Sequence, residues 1–117
     1  MAAPNVVNVT TITAKSNVNT VSTTLANLVL NSLNSSQVHK INTVMVTNTN
    51  TIPISCNLTI LRSATSYYLA SNIVVPVGTT VLLVAKDNAV YLEEGDALQS
   101  SAQTNGLYIT ASYEVIS

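Results

Sequence analysis

Three neighbouring carboxylates are the residues in this sequence best able to do chemistry. Glu93, Glu94 and Asp96 lie within VYLEEGDALQ and are three of the five carboxylates in the 117-residue chain. Paired carboxylates act as general acid and base when burial or mutual repulsion separates their pKa values. Several oxygen ligands in one loop are also what Ca²⁺ requires. The segment could therefore form an acid pair or a cation site.

The local pattern favours a plainer interpretation, a solvated turn. Adjacent strand residues point to opposite faces, so the side chains of Glu93 and Glu94 should diverge. The ligand spacing of an EF-hand is missing. Gly95 needs no ligand to explain it, because tight turns use glycine at positive φ. We predict no catalytic and no metal-binding residue here, and we expect all three carboxylates to lie in water, where they could contact another subunit.

Other groups that could act as a nucleophile or a base are scarce. His39 is the only histidine and Cys56 is the only cysteine, so a zinc site has too few His and Cys ligands. Cys56 falls on the apolar face of an alternating run, where a thiol is unreactive. Nothing in the sequence brings Asp87 or Glu114 to His39 as the orienting acid of a triad. The sequence therefore predicts no enzyme activity and no cofactor.

The composition indicates a subunit of an assembly. Only 8% of the residues are charged and the net charge is -1, whereas an ordinary domain has about 25% charged residues. A net charge close to zero promotes association. The basic residues are scattered at Lys15, Lys40, Arg62 and Lys86, so no basic patch for nucleic acid is present. We see no secretory signal or membrane span, and we expect neither a nucleic-acid nor a membrane partner.

Period-two alternation predicts that these residues lie on strands. The segment ISCNLTILR, 54–62, places Ile54, Cys56, Leu58 and Ile60 on the inner face and Ser55, Asn57 and Thr59 on the outer face. The segment LYITASYEVI, 107–116, alternates in the same way and places Leu107, Ile109, Ala111, Tyr113 and Val115 inward. Further strands are predicted at 6–14, 24–31, 37–48, 65–70, 79–86, 89–92 and 96–102. Short turns separate them. The predicted fold class is all-β, an antiparallel β-sandwich of about eight strands with jelly-roll or immunoglobulin-like topology.

Two segments allow other interpretations. Residues 20–33 compete as a helix, because Leu25, Leu28, Val29 and Leu33 have helical spacing behind a Thr-rich start. Residues 1–20 are rich in Asn and Thr and could be an extended N-terminal arm. We predict one domain over residues 1–117, since the sequence has no linker and no repeat.

The five tyrosines are the only aromatic residues. Amphipathic rings of this kind are common at sheet edges and subunit contacts. We predict an intersubunit contact made by Tyr67, Tyr68, Tyr91, Glu93, Glu94 and Asp96. The alternative is a carbohydrate-binding module, in which the rings of Tyr67 and Tyr68 form a platform for sugars.

The C-terminal part of the chain resembles a known group of proteins. From residue 73 onward a Pro-x-Gly turn precedes an apolar strand, and a YLEEGD turn, a short strand of small residues and a final strand with an acidic, apolar end follow. The positions that carry the likeness are Pro76, Gly78, Tyr91, Leu92, Glu93, Gly95, Asp96, Ala102, Tyr113 and Glu114. This order is similar to that of the small β-sandwich virion structural proteins of tailed bacteriophages, notably those that infect cyanobacteria.

The resemblance implies a non-enzymatic virion protein that is made in the host cytoplasm and packed into the particle. We expect a capsid decoration or cement protein that binds and stabilises the lattice of the major capsid protein. It would be a homo-oligomer, with a trimer favoured. The alternative within the virion is a neck, tail or fibre subunit that contacts other virion proteins.

Overall fold

Alternating side chains set the secondary structure along most of the chain. In a computed structural model that describes residues 11–117, apart from the side chain of Lys86, the regular structure consists of nine β-strands and one short 3-10 helix at Lys86–Asn88. The strands are β1 Ile12–Thr20, β2 Ala26–Leu30, β3 Val38–Asn48, β4 Ile54–Arg62, β5 Thr65–Val75, β6 Thr80–Val84, β7 Val90–Leu92, β8 Ala97–Ala102 and β9 Leu107–Ile116.

The predicted strand positions are confirmed for most of the chain. β4 and β9 cover 54–62 and 107–116 as predicted. The first strand differs, because the prediction placed it at 6–14 and β1 begins at Ile12. Residues 1–10 lie outside the described part of the chain, so their role as an arm stays a prediction.

The helical alternative for residues 20–33 is wrong. Ala26–Leu30 forms β2, which pairs with β8 and shifts register between Asn27 and Val29. A bulge of this kind lets two consecutive residues turn towards the core. Leu28 and Val29 are both buried. Their spacing imitates a helical stripe because the strand is irregular there.

The strand order identifies a jelly roll. Sheet A has the order β1-β9-β3-β6, with β7 also paired to β3, and sheet B has the order β2-β8-β4-β5. The pairs nest, since β1 pairs with β9, β2 with β8, β3 with β6 and β7, and β4 with β5, all antiparallel. An immunoglobulin-like sandwich would keep the first two strands in one sheet. Here they lie in different sheets, as a jelly roll requires.

The core lies between the inner faces of the two sheets. Ile41 and Ile109 from sheet A and Leu58 and Leu98 from sheet B are almost completely buried, and so is Cys56. Burial of each large apolar side chain stabilises the fold by roughly 1.5 to 3 kcal/mol relative to exposure. The predicted buried position of Cys56 is confirmed.

Two buried asparagines hold the connections at opposite ends of the sandwich. Asn31 donates from Nδ2 to the carbonyls of Gln37 and Leu92, at 2.9 and 3.0 Å. Asn48 donates to the carbonyls of Ile52 and Val75, at 2.8 and 2.9 Å. Neither residue is exposed to solvent. Buried amides satisfy carbonyls that would otherwise be left without donors where the strands end.

Candidate functional site

The carboxylate segment forms the turn between β7 and β8. Asp96 is 3% exposed. Its Oδ2 accepts a hydrogen bond from the Glu93 backbone N–H at 2.8 Å, and Nε of Arg62 donates to its two carboxylate oxygens at 3.1 and 3.0 Å. The expectation that all three carboxylates lie in water is therefore wrong for Asp96. Arg62 is the last residue of β4, and its guanidinium neutralises the buried carboxylate of Asp96. The hydrogen bond to Asp96 raises the pKa of the guanidinium.

Glu93 and Glu94 diverge, as predicted. Glu93 is exposed and places its Oε2 3.0 Å from a terminal nitrogen of Arg62. Glu94 is half-buried, and its Oε2 accepts a hydrogen bond from the backbone N–H of Ser36 at 3.0 Å. Gly95 has φ of 87°, in the left-handed region that the turn prediction required. The guanidinium of Arg62 thus pairs with two of the three carboxylates of the turn.

The geometry provides no metal centre in the described part of the chain. Within residues 11–117, no group of three or more His, Cys, Asp or Glu side chains could hold a metal ion. The same range contains no helix that is long and apolar enough to cross a membrane.

His39 and Cys56 lie at opposite ends of the sandwich. His39 pairs with Leu92 and Val115 in sheet A, close to the end of β9, whereas Cys56 pairs with Ala102 in sheet B, where β8 ends before the turn to β9. The ring of His39 stacks on Tyr113 with centroids 5.6 Å apart. Burial lowers the pKa of His39 and raises the pKa of the Cys56 thiol. Neither change favours an imidazole and a thiolate acting together.

The outer face of sheet A carries a row of exposed apolar side chains. Register places Val18 of β1 beside Thr110 of β9, Thr110 beside Met45 of β3, and Met45 beside Leu82 of β6. We call these four residues the apolar row. Val18 is 64% exposed, Leu82 52% and Met45 38%. Thr110, the fourth member, is polar and half-buried, so the exposed apolar side chains lie on three of the four strands. Exposed apolar groups that lie close together mark an interaction surface more often than scattered ones do.

A second row on the same face contains one acid and one base. Register places Ala14 of β1 beside Glu114 of β9, Glu114 beside Lys40 of β3, and Lys40 beside Tyr91 of β7. We call these four residues the charged row. Glu114 accepts a hydrogen bond from Nδ2 of Asn42 at 3.2 Å. Within residues 11–117, Lys40 forms no ion pair. Neither row was predicted from the sequence, because residues far apart along the chain form each of them.

The tyrosines do not form one surface. Tyr67 and Tyr68 pair with Ile60 and Thr59 in regular register, so they point to opposite faces of β5. Tyr91 and Tyr108 are exposed on the outer face of sheet A, and Tyr113 is buried. Tyr67 and Tyr68 therefore cannot stack together on one sugar. Of the six predicted contact residues, Tyr67, Tyr68, Tyr91 and Glu93 are exposed, Glu94 is half-buried and Asp96 is buried.

Comparison with known proteins gives only a loose likeness. No protein-family model and no curated protein matches the chain. Two solved structures of a pentameric capsid protein isolated from metagenomic phage sequences align with it at 16% identity and a TM-score of 0.44. The alignments cover 84% of this chain and 60% and 58% of those chains. This chain thus spans less than two thirds of their length, and a likeness at this TM-score carries no argument about function.

Proposed function

We propose that the protein is a non-enzymatic structural subunit of a bacteriophage particle, and more narrowly a capsid decoration or cement protein. The observation that carries the proposal is the exposed, nearly uncharged outer face of sheet A, which gives a small domain a surface for binding neighbours. Its partners would be further copies of itself and the major capsid protein. The trimeric state expected from the sequence stays a prediction.

The sheet edges support an assembly role. β1 forms one edge of sheet A and β5 forms one edge of sheet B, and no other strand of the described residues pairs with their outer sides. β5 contains no charged residue over eleven positions and exposes Tyr67, Tyr68 and Leu69. Soluble monomers usually protect such edges with charges, and an assembly can cover them instead.

The topology and the C-terminal resemblance agree with this proposal. Jelly rolls form viral capsid and lectin domains, and this support is an analogy at the level of the fold. The lectin alternative is weaker, because Tyr67 and Tyr68 lie on opposite faces of β5.

Quantitative mass spectrometry of purified particles tests the proposal. A decoration protein should be present in a number of copies comparable to that of the major capsid protein. A small number that matches the symmetry of a tail would favour the neck, tail or fibre alternative and would contradict the decoration role. Complete absence from purified particles would contradict a virion role altogether.

A further inference from the structure

We propose that the outer face of sheet A binds the same face of a second copy of this chain about a two-fold axis. The axis would run parallel to the strands, midway between β9 and β3. This inference rests on the proposed function, since it names one partner and one surface for an assembling subunit.

The charged row is complementary to itself under this symmetry. Strand order across the face is β1, β9, β3 and then β6 or β7. A two-fold axis between the second and third strands exchanges β9 with β3 and β1 with β6 or β7. Glu114 of each copy then faces Lys40 of the other copy. This follows because the two residues are register partners and so lie at the same position along the strand direction. Two opposite-charge pairs form, and no like charges meet across the contact.

The apolar row is matched by the same operation. Val18 of β1 comes to face Leu82 of β6 in the other copy, and Thr110 comes to face Met45. The two most exposed members of the row thus cover each other. Thr20, Thr47 and Thr80 lie two residues further along their strands, on the side of the apolar row away from the charged row. An apolar centre with a polar surround is the usual composition of a protein interface.

Aligned packing of two sheets provides the geometry of the proposed contact between the copies. The area of the face determines how strong that contact is. Two twisted sheets pack with their strands within about 30° of each other. Four strands spaced by about 4.8 Å, over about 20 Å of strand length, give a flat area of roughly 400 Å². A standard interface buries about 800 Å² on each partner. The contact should therefore be weak in solution and depend on concentration. A trimer would use other surfaces, so this contact is compatible with one.

Paired charge variants provide the test. Lys40→Glu leaves two acids on the face, and Glu114→Lys leaves two bases. Each variant alone should raise the dissociation constant of the dimer by about tenfold, since like charges then meet across the axis. In an equal mixture, the acidic face of one variant meets the basic face of the other. Sedimentation equilibrium with one variant mass-tagged should therefore show a heterodimer about as strong as the wild-type dimer.

The mixture separates the contact between copies from effects within one copy. Lys40 and Glu114 are also neighbours within one chain, so each variant could be less stable by itself. Thermal melting of the separate variants measures that loss, which mixing cannot repair. Leu82→Glu should abolish dimerisation. Leu30→Glu is the matched control, because Leu30 lies on β2 of sheet B and is 53% exposed, as Leu82 is 52% exposed. It should leave dimerisation unchanged.

Three results would overturn the inference. They are a wild-type chain that stays monomeric at all concentrations, single variants that dimerise like the wild type, and a mixture that associates no better than its components. None of these outcomes bears on the number of copies in purified particles, which tests the proposed function separately. A protein abundant in particles could still bind there through another surface.

Discussion

Arg62 and Asp96 form an ion pair that joins the β4–β5 hairpin to the turn between β7 and β8. Nε of Arg62 donates to both carboxylate oxygens of Asp96, at 3.1 and 3.0 Å. Asp96 is 4% exposed in its side chain, whereas that of Arg62 is 44% exposed. The arginine thus provides a positive charge for a buried carboxylate. The sequence alone would place this carboxylate in solvent.

Asp96→Asn should destabilise the fold. The substitution keeps the shape of the side chain and removes its charge, so Arg62 loses its charged partner. Because Arg62 is partly hydrated, we expect a loss of about 2 kcal/mol in the free energy of unfolding, below the range for a fully buried pair. Urea denaturation measures it. Glu93→Gln, at the exposed side of the same arginine, should cost less than about 0.5 kcal/mol. Equal losses for the two variants would contradict this account.

Calcium should have no effect on thermal stability. The guanidinium of Arg62 already neutralises Asp96 and lies 3.0 Å from Glu93. A cation that bound the folded state would raise the melting temperature by mass action. We expect the same midpoint in excess Ca²⁺ and in excess chelator. A midpoint that rises with Ca²⁺ and returns to its original value with chelator would show that the turn binds the ion.

Stability should fall as the pH drops below 6.5. Burial lowers the pKa of His39 from its ordinary value of 6.5, with a smaller contribution from Lys15. Below 6.5 the unfolded chain therefore binds a proton that the folded chain resists. This difference reduces the free energy of unfolding until the pH reaches the lowered pKa of the folded state. Nε2 of His39 lies 3.2 Å from Oε1 of Gln37, and its ring stacks on Tyr113.

Urea denaturation between pH 8 and pH 5 measures this dependence. His39→Gln should flatten the curve in that window, because glutamine does not titrate. An unchanged slope in the variant would assign the effect to other groups.

Gly106→Ala should be strongly destabilising. Gly106 has φ of +127°, and an added Cβ would lie 2.8 Å from Cβ of Asn50 and 3.1 Å from Cδ1 of Ile54. Backbone strain and the clash together should cost roughly 2 to 3 kcal/mol. Gly78→Ala is the matched control, since its φ is +69° and nothing lies within 4 Å of the added atom. That variant should lose only about 1 kcal/mol, and similar losses in the two would exclude the clash.

Ala64→Gly should stabilise the protein. Ser63 and Ala64 form the two-residue turn between β4 and β5 with φ of 52° and 63°. Alanine is strained in this left-handed region, and glycine is not. We expect a gain of about 0.5 to 1 kcal/mol in the free energy of unfolding by urea denaturation. Ala70→Gly, in the middle of β5, should lower stability by a similar amount, and a loss in both variants would refute strain at Ala64.

The sequence alone determined the fold class, most strand positions and most of the buried face of each clear strand. The outward position predicted for Thr59 is wrong, because the register of β4 with β5 shifts between Leu58 and Thr59 and Thr59 is fully buried. Period-two alternation is a local property, so β4 and β9 could be placed to the residue, and the inward positions of Cys56 and Tyr113 followed from it. Turn chemistry is local too, and it explains the positive φ of Gly95. The bulge in β2 broke the alternation and allowed a helix as an alternative.

Only the tertiary structure decided which strands pair and in which register. Jelly-roll and immunoglobulin-like topologies use the same alternating strands, so the pairing of β1 with β9 could not be read from either strand. The ion pair between Arg62 and Asp96 could not be predicted from the sequence either. Nor could the placement of Val18 and Leu82 in one row on the outer face of sheet A. These relationships join residues far apart along the chain. They depend on burial and hydrogen bonding across the whole sandwich, which no local pattern records.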